Sequence, residues 1–433
     1  MDRVVSLSQL LRRPLVGRGG EVVGRLSDVI VRLRGRDYPV VTGLVSEVGR
    51  REVFLPVGQV ADFDGERIQL TSEVVDLRPF ERREGEVLLR ADVLGHRVID
   101  VADVELVRAH DLELRRRPDG WVVDGLDTAP HRPRLFGFFA GESQAQWRDW
   151  KSFEPLIGHA QSARVRGTFG RLGRLKPADI ADLLEDANRT ESHEILQTVH
   201  ADPELEADVF EELEPDSQTR LLRERSDAQI AEVLARMRAD DAADAINDLP
   251  QNRRQPVLDA LPAGQRTKVM TLMGFNPSSA GGLMALDILT APLGSTVAEV
   301  LGRVRAARTL QPEALTSVHV VGEGNRLIGT ATLVALLQAD PDARLDQVMV
   351  TEPVRVLPEA DAEDVALLMT DYNLLTVPVV DQQDRILGVI TVDDILETVI
   401  PEDWRRREPA PHPAHRTDQA APTGSAQVTD LGG

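Results

Sequence analysis

One block of this sequence recurs 59 residues later, and that recurrence limits what the C-terminal part can fold into. Ser317-Val318-His319-Val320-Val321 returns as Thr376-Val377-Pro378-Val379-Val380, and Arg326-Leu327-Ile328-Gly329 returns as Arg385-Ile386-Leu387-Gly388. Short β-branched runs separated by turn residues read as paired, buried strands. Each copy runs on into a helical pattern, Leu333 to Gln338 and Asp393 to Val399, and each is preceded by one, Val297 to Ala307 and Ala362 to Tyr372. The expectation is a duplicated α/β unit across residues 276–403.

A second, shorter period lies upstream. Between residues 171 and 275, helix-start signals fall at Asp202-Pro203, Glu214-Pro215-Asp216, Ser226-Asp227, Ala239-Asp240, Leu249-Pro250 and Leu261-Pro262. Each offers an N-cap acceptor or a first-turn proline. The segments between them are too short to be stable alone, so they must stack into a superhelix and bury their faces on neighbours.

Residues 1–130 alternate with a period near two, with Gly49 and Asp64-Gly65 as turn signals, and predict small barrels. Leu15-Val16-Gly17, Gly24-Arg25-Leu26-Ser27-Asp28-Val29 and Leu55-Pro56-Val57 resemble the PRC-barrel family, and Val93 to Asp100 is a weaker second copy. The resemblance implies interaction modules at 1–82 and 83–130. Residues 131–170 read as a linker holding an aromatic segment of Phe136, Phe138, Phe139, Trp147, Trp150 and Phe153, and residues 404–433 as a disordered tail. The fold class is therefore multidomain α+β, with small β-barrel modules, an α-helical superhelical repeat domain and an α/β pair.

Charge is distributed unevenly. Of 50 Lys+Arg and 71 Asp+Glu, residues 1–170 hold 26 of each, residues 171–275 hold 13 against 22, and residues 276–433 hold 11 against 23. The acidic part disfavours nucleic acid and anionic lipid and favours divalent cations or basic partners. With no cysteine, thiol catalysis, disulfides and zinc–thiolate sites are excluded. Neither a secretory signal nor an apolar run of membrane-spanning length is expected. A glycine-rich phosphate loop, a His-x-x-x-His pair and a catalytic triad are all absent, which argues against an enzyme.

Asp202 to Met284 resembles the intracellular N domain of MgtE-type magnesium transporters, and the duplication resembles a CBS pair. Ser279-Ala280-Gly281-Gly282-Leu283-Met284, which joins them, is the sharpest signature. The resemblance covers about residues 171–403. It implies that Mg2+ bridges acidic surfaces of the two domains, through Asp208, Asp240 and Asp244 on one side and Asp361, Glu363, Asp394 and Glu397 on the other. Where the family carries an acid, this chain has Asn373. The spacing adds independent support, because Asp240 and Asp244 share a helical face at i, i+4, as do Asp394 and Glu397 at i, i+3. Repelling acidic surfaces are what a hard divalent cation relieves. Thr391-x-x-Asp394 matches the ribose-holding pattern that the CBS resemblance implies for ATP or another adenine nucleotide, whereas the other copy has Ala335 in place of the acid.

These readings predict a cytoplasmic, non-catalytic Mg2+ sensor, homodimeric through its CBS pair. It would lie peripheral to the inner membrane face through a separately encoded membrane protein. The family's transporters continue into a membrane pore domain after the CBS pair, whereas this sequence ends at Gly433, so it is not expected to conduct ions itself. The alternative is an adenine-nucleotide-sensing regulatory or scaffold protein without a metal switch.

Overall fold

The structure, a computed structural model, describes residues 4–34, 37–63, 66–71, 79–83, 85–118, 120–129, 146–156, 171–308, 310 and 312–401. Phe136, Phe138 and Phe139 of the aromatic segment, and the 404–433 tail, lie outside these. The architecture is multidomain α+β, and the chain divides into two compact units, Met1–Met270 and Thr271–Gly433.

In the first unit, eleven strands among the described residues join in one sheet. Its spatial order is Val4–Ser6, Asp111–Arg117, Gly120–Asp127, Asp37–Val48, Val22–Arg34, Pro14–Val16, Ile68–Leu70 and Val60–Phe63, with Arg51–Pro56, Glu86–Leu88 and Trp147–Asp149 as branches. Residues from both expected β modules fill one core, where the Phe63 and Trp121 rings meet edge to face at 4.8 Å. Strand pairing crosses the expected boundary at residues 82 and 83: Val122 pairs with Val40, and Val4 with Arg115. Asp28, in the motif that suggested the PRC-barrel likeness, is buried. Its carboxylate accepts from the amides of Val29 (2.7 Å), Arg90 (2.7 Å) and Ala91 (3.0 Å), which holds the π-helical turn Leu89–Val93 against its strand.

The helical repeats follow as α1 (Pro177–Asp186), α2 (Arg189–Val199), α3 (Pro203–Glu211), α4 (Pro215–Arg223), α5 (Asp227–Leu234), α6 (Ala239–Asp248), α7 (Gln251–Ala260) and α8 (Ala263–Leu272). Asn188, Asp202 and Ser226 cap α2, α3 and α5 through their side chains, and proline opens α1, α3 and α4. The next helix departs from expectation. Arg238, rather than Ala239 or Asp240, is the N-cap of α6, and Asp240 sits inside the first turn. Helices two apart stack, α1 on α3, α3 on α5 and α5 on α7. The pairs Leu183-Leu184, Val209-Phe210 and Val233-Leu234 are buried at equivalent places. This is the predicted superhelix: no helix is long enough to stand alone, and each is held by its second neighbour.

In the second unit the duplication is physical. Strand Thr290–Pro292 runs parallel to Ser317–Val321, which pairs antiparallel with Leu327–Thr332. The second copy pairs Thr376–Val380 with Ile386–Thr391 in the same way. Helices α9 (Val297–Ala306), α10 (Leu333–Gln338), α11 (Ala362–Tyr372) and α12 (Val392–Val399) complete the copies. Leu327 of the first copy packs with Val380 and Ile386 of the second, and Val321 borders that cluster.

The Ser279–Met284 phrase explains itself here. Ala280 N–H donates to the Ala360 carbonyl, Gly281 N–H to that of Pro358, and Ala285 N–H to that of Val389, all at 2.8 Å, so the segment is stitched onto the second copy. A Cβ on Gly282 would stand 2.3 Å from the Asn276 carbonyl oxygen and 2.8 Å from the Pro277 Cα, both backbone atoms that cannot swing aside. Gly282→Ala is therefore expected to destabilise the second unit by about 1–3 kcal/mol. The check is the thermal unfolding midpoint, which an unstrained site would leave unchanged.

Candidate acidic regulatory sites

In the helical domain, α3 and α6 carry the acidic residues that the sequence singled out. Asp208 and Asp244 are exposed, and Asp240 is half-buried in the first turn of α6. Between them lies a group the sequence reading missed. Glu211, one turn after Asp208, accepts the backbone N–H of Arg238 at 2.6 Å and so caps α6 from the neighbouring helix. The Arg238 guanidinium bonds Asp241 at 2.6 Å and reaches Glu211 at 3.5 Å.

The carboxyls here are crowded. Loss of surrounding water, then Asp241 nearby, push Glu211 up to about 7 against the opposing pull of its Arg238 amide bond. Asp244 is pushed up to about 7 as well. Solvent reaches its side chain, but enough protein surrounds the carboxyl to weaken its hydration, and Asp241 and Asp248 add like charge. Asp208 is raised by partial desolvation and by Glu204 and Asp202. Three carboxyls raised together mark a surface where negative charge is costly at neutral pH.

Glu211 had a signal in the sequence. Asp182-x-x-Glu185 recurs 26 residues later as Asp208-x-x-Glu211, and Glu185 on α1 accepts the N–H of Glu214, the N-cap of α4, at 2.8 Å. Asp182 and Glu185 are also raised, chiefly by desolvation. The repeat therefore reuses one glutamate to cap the helix three further on.

In the CBS unit, Asp361 is the exposed N-cap of α11, with Glu363 exposed in the first turn. Asp394 and Glu397 lie on α12, which packs against α11. They differ sharply: Glu397 is exposed, but Asp394 is buried in the capping box of its own helix, accepting the Thr391 hydroxyl at 2.6 Å and amide at 3.3 Å. A cation would have to displace that cap to reach it. Thr391 and Asp394 are thus brought together as the ribose pattern requires, whereas Thr332 caps α10 alone, by accepting the Ala335 N–H. Asn373 stands in the left-handed conformation (φ 53°) at the end of α11 and is the helix stop. Among the described residues, the one group of three acids whose ligand atoms converge within 4.8 Å is Asp100, Asp103 and Glu105, none of them singled out from sequence, and Arg148 already pairs the first two at 2.5 and 2.7 Å.

The chain thus joins a helical-repeat domain with a crowded acidic ridge to a duplicated α/β unit. Residues 175–278 match the family model of the MgtE intracellular N domain, and residues 345–400 match that of the CBS domain. The chain is 32% identical over 243 residues to the magnesium transporter MgtE of Thermus thermophilus and 24% identical over 242 residues to that of Bacillus subtilis. These alignments cover 55% and 56% of this chain, which spans about half the length of either relative (53% of each). A crystal structure of the cytosolic domain of the Mg2+ channel MgtE in complex with ATP superposes with a TM-score of 0.50 at 30% identity, covering 55% of this chain and 94% of that one. No helix among the described residues is long and apolar enough to cross a membrane.

The raised carboxyls set a pH dependence with a definite sign. A group whose folded pKa lies above its unfolded value stabilises the fold at low pH, and that contribution is lost as pH rises through the folded value. For Glu211 the window runs from about 4.5 to about 7. Glu211→Gln keeps an oxygen to cap Arg238 and removes the charge. It is expected to raise the unfolding midpoint at pH 8, by at most on the order of 3 kcal/mol of stability, and to change nothing at pH 4. Equal midpoints at pH 8 would contradict the assignment.

Proposed function

We propose that this protein is a Mg2+-responsive regulator in which hydrated Mg2+ neutralises the acidic ridge of the helical domain and acids of the CBS pair, shifting the protein from an open to a compact state. Asp208, Asp240 and Asp244 are the ligands assigned in the helical domain, with Glu211 and Asp241 adding to the field. Asp361, Glu363 and Glu397 are assigned in the CBS pair, and Asp394 to the nucleotide. The observation that carries this reading is the set of carboxyls on α3 and α6 raised by desolvation and then by neighbouring like charge, two of them to about 7. A hard cation binds oxygen donors, keeps several of its waters, and needs only one or two carboxylates from each side. The likeness to the MgtE relatives supports the same ion. The regulated activity is magnesium transport or a membrane partner, reached through the β sheet of the first unit, since Trp150 and Phe153 of the aromatic segment are buried in that unit's core.

The protein is read as regulatory rather than catalytic, cytoplasmic, and homodimeric through the CBS pair. The exposed apolar side chains Leu367, Tyr372, Leu375 and Leu396, on or next to α11 and α12, suit that association. Isothermal titration of the full chain tests the metal. Mg2+ is expected to bind the wild type, and Asp240→Asn/Asp244→Asn is expected to weaken binding at least tenfold. Unaltered binding in the double variant would remove the ridge as the site.

One observation favours a nucleotide as a further ligand. Thr391 and Asp394 are preorganised at the start of α12, and the MgtE cytosolic domain to which the chain is similar was crystallised in complex with ATP. Asp394→Asn is expected to cost ATP affinity tenfold or more while leaving Mg2+ titration of the ridge intact. If ATP binds and Mg2+ does not, the nucleotide-sensing alternative replaces the metal switch.

A further inference from the structure

His319 takes no part in either reading, and its position is unusual. It occupies the middle of strand Ser317–Val321 and is fully buried, with neither ring nitrogen hydrogen-bonded. Val318 and Val320 point into the first copy's own core. Alternation along the strand therefore turns His319 to the face opposite them; Val321, just past a register shift in the pairing with Leu327–Thr332, borders the cluster in which Leu327 meets Val380 and Ile386 of the second copy. The second copy has Pro378 at the equivalent place. Its cross-strand neighbours are Thr290 and Thr330. The charged groups on the elements around it are Arg303, which bonds the Thr290 carbonyl, and the turn-end set Arg326, Asp381, Asp384 and Arg385. Asp384 pairs with Arg326 and also with Arg355 at 2.9 Å, and Arg385 pairs with Asp381. None of these groups bonds the imidazole, so no carboxylate stands ready to stabilise a charged ring.

We propose that His319 makes the seam between the two copies of the CBS pair proton-sensitive: a proton placed on this enclosed ring has no acceptor among the described residues, and the first copy relieves it by parting from the second. Acidification would then uncouple the copies without touching the acidic ridge or the nucleotide residues. Burial lowers the histidine to about 4 in the closed state, and its ordinary value of 6.5 returns on opening. The group is depressed, so the closed state is fully favoured above pH 6.5 and loses that advantage as pH falls towards 4. At pH 5 the gap corresponds to an opening equilibrium about 30-fold larger than at pH 7.5.

Amide hydrogen exchange on the full-length protein tests this, with rates corrected for the intrinsic effect of pH. The strands Ser317–Val321 and Thr376–Val380 are expected to open about 30-fold more often at pH 5 than at pH 7.5 in the wild type. In His319→Leu they should open equally often at both values. Protection independent of pH in the wild type, or an equal change in the variant, overturns the proposal. Should the leucine variant not fold, the His319 Cε1 proton followed by NMR decides the matter: no titration above pH 5 supports the seam, and a midpoint near 6.5 overturns it.

Discussion

Carboxyls deprived of water and held near like charge are the constraint on which the account rests. Helices α3 and α6 are too short to be stable alone, and stacking fixes their separation rather than electrostatics. Their carboxylates cannot move apart without breaking the repeat. Glu211 sharpens the conflict, because the same side chain that terminates α3 must cap the amide of Arg238 at the start of α6. Its position is set by backbone hydrogen bonding, and its charge is left to be resolved by protonation, by Arg238, or by a cation from solution.

The CBS pair handles acids differently. Asp394 is consumed by a cap, and Asp361 and Glu363 sit at a helix N-terminus, where the backbone dipole favours negative charge. The two domains thus offer a strained acidic surface and a relaxed one. Under the proposed function, a cation would gain most where the strain is greatest, on α3 and α6. The large sheet of the first unit contributes a single core rather than two separable ones.

The duplication at an offset of 59 predicted the strand pairing of the second unit correctly, because identical local patterns must solve the same burial problem. Stacked short helices were equally legible from cap residues and prolines. What stayed hidden was long-range. Nothing local says that Val122 pairs with Val40, or that Trp121 finds Phe63 across half the sheet. The site was half visible. Asp208, Asp240 and Asp244 were singled out by likeness, the last two also by spacing, but Glu211 looked like one more acid in an acidic chain until its partner amide was known. Asn373 looked like a lost ligand, whereas its positive φ makes it a helix terminator. Asp394 matched two patterns at once, and only burial separates them.

Proton release measures the central claim most directly. Carboxyls raised to about 7 are partly protonated at neutral pH, so a cation that binds them must expel protons. Adding MgCl2 to the protein in weakly buffered solution at pH 7 should release protons. The release should vanish at pH 9, where the acids are already ionised, and should be lost in the combined Glu211→Gln/Asp244→Asn variant. Magnesium binding with no proton release at pH 7, or release unchanged in that variant, would contradict the account.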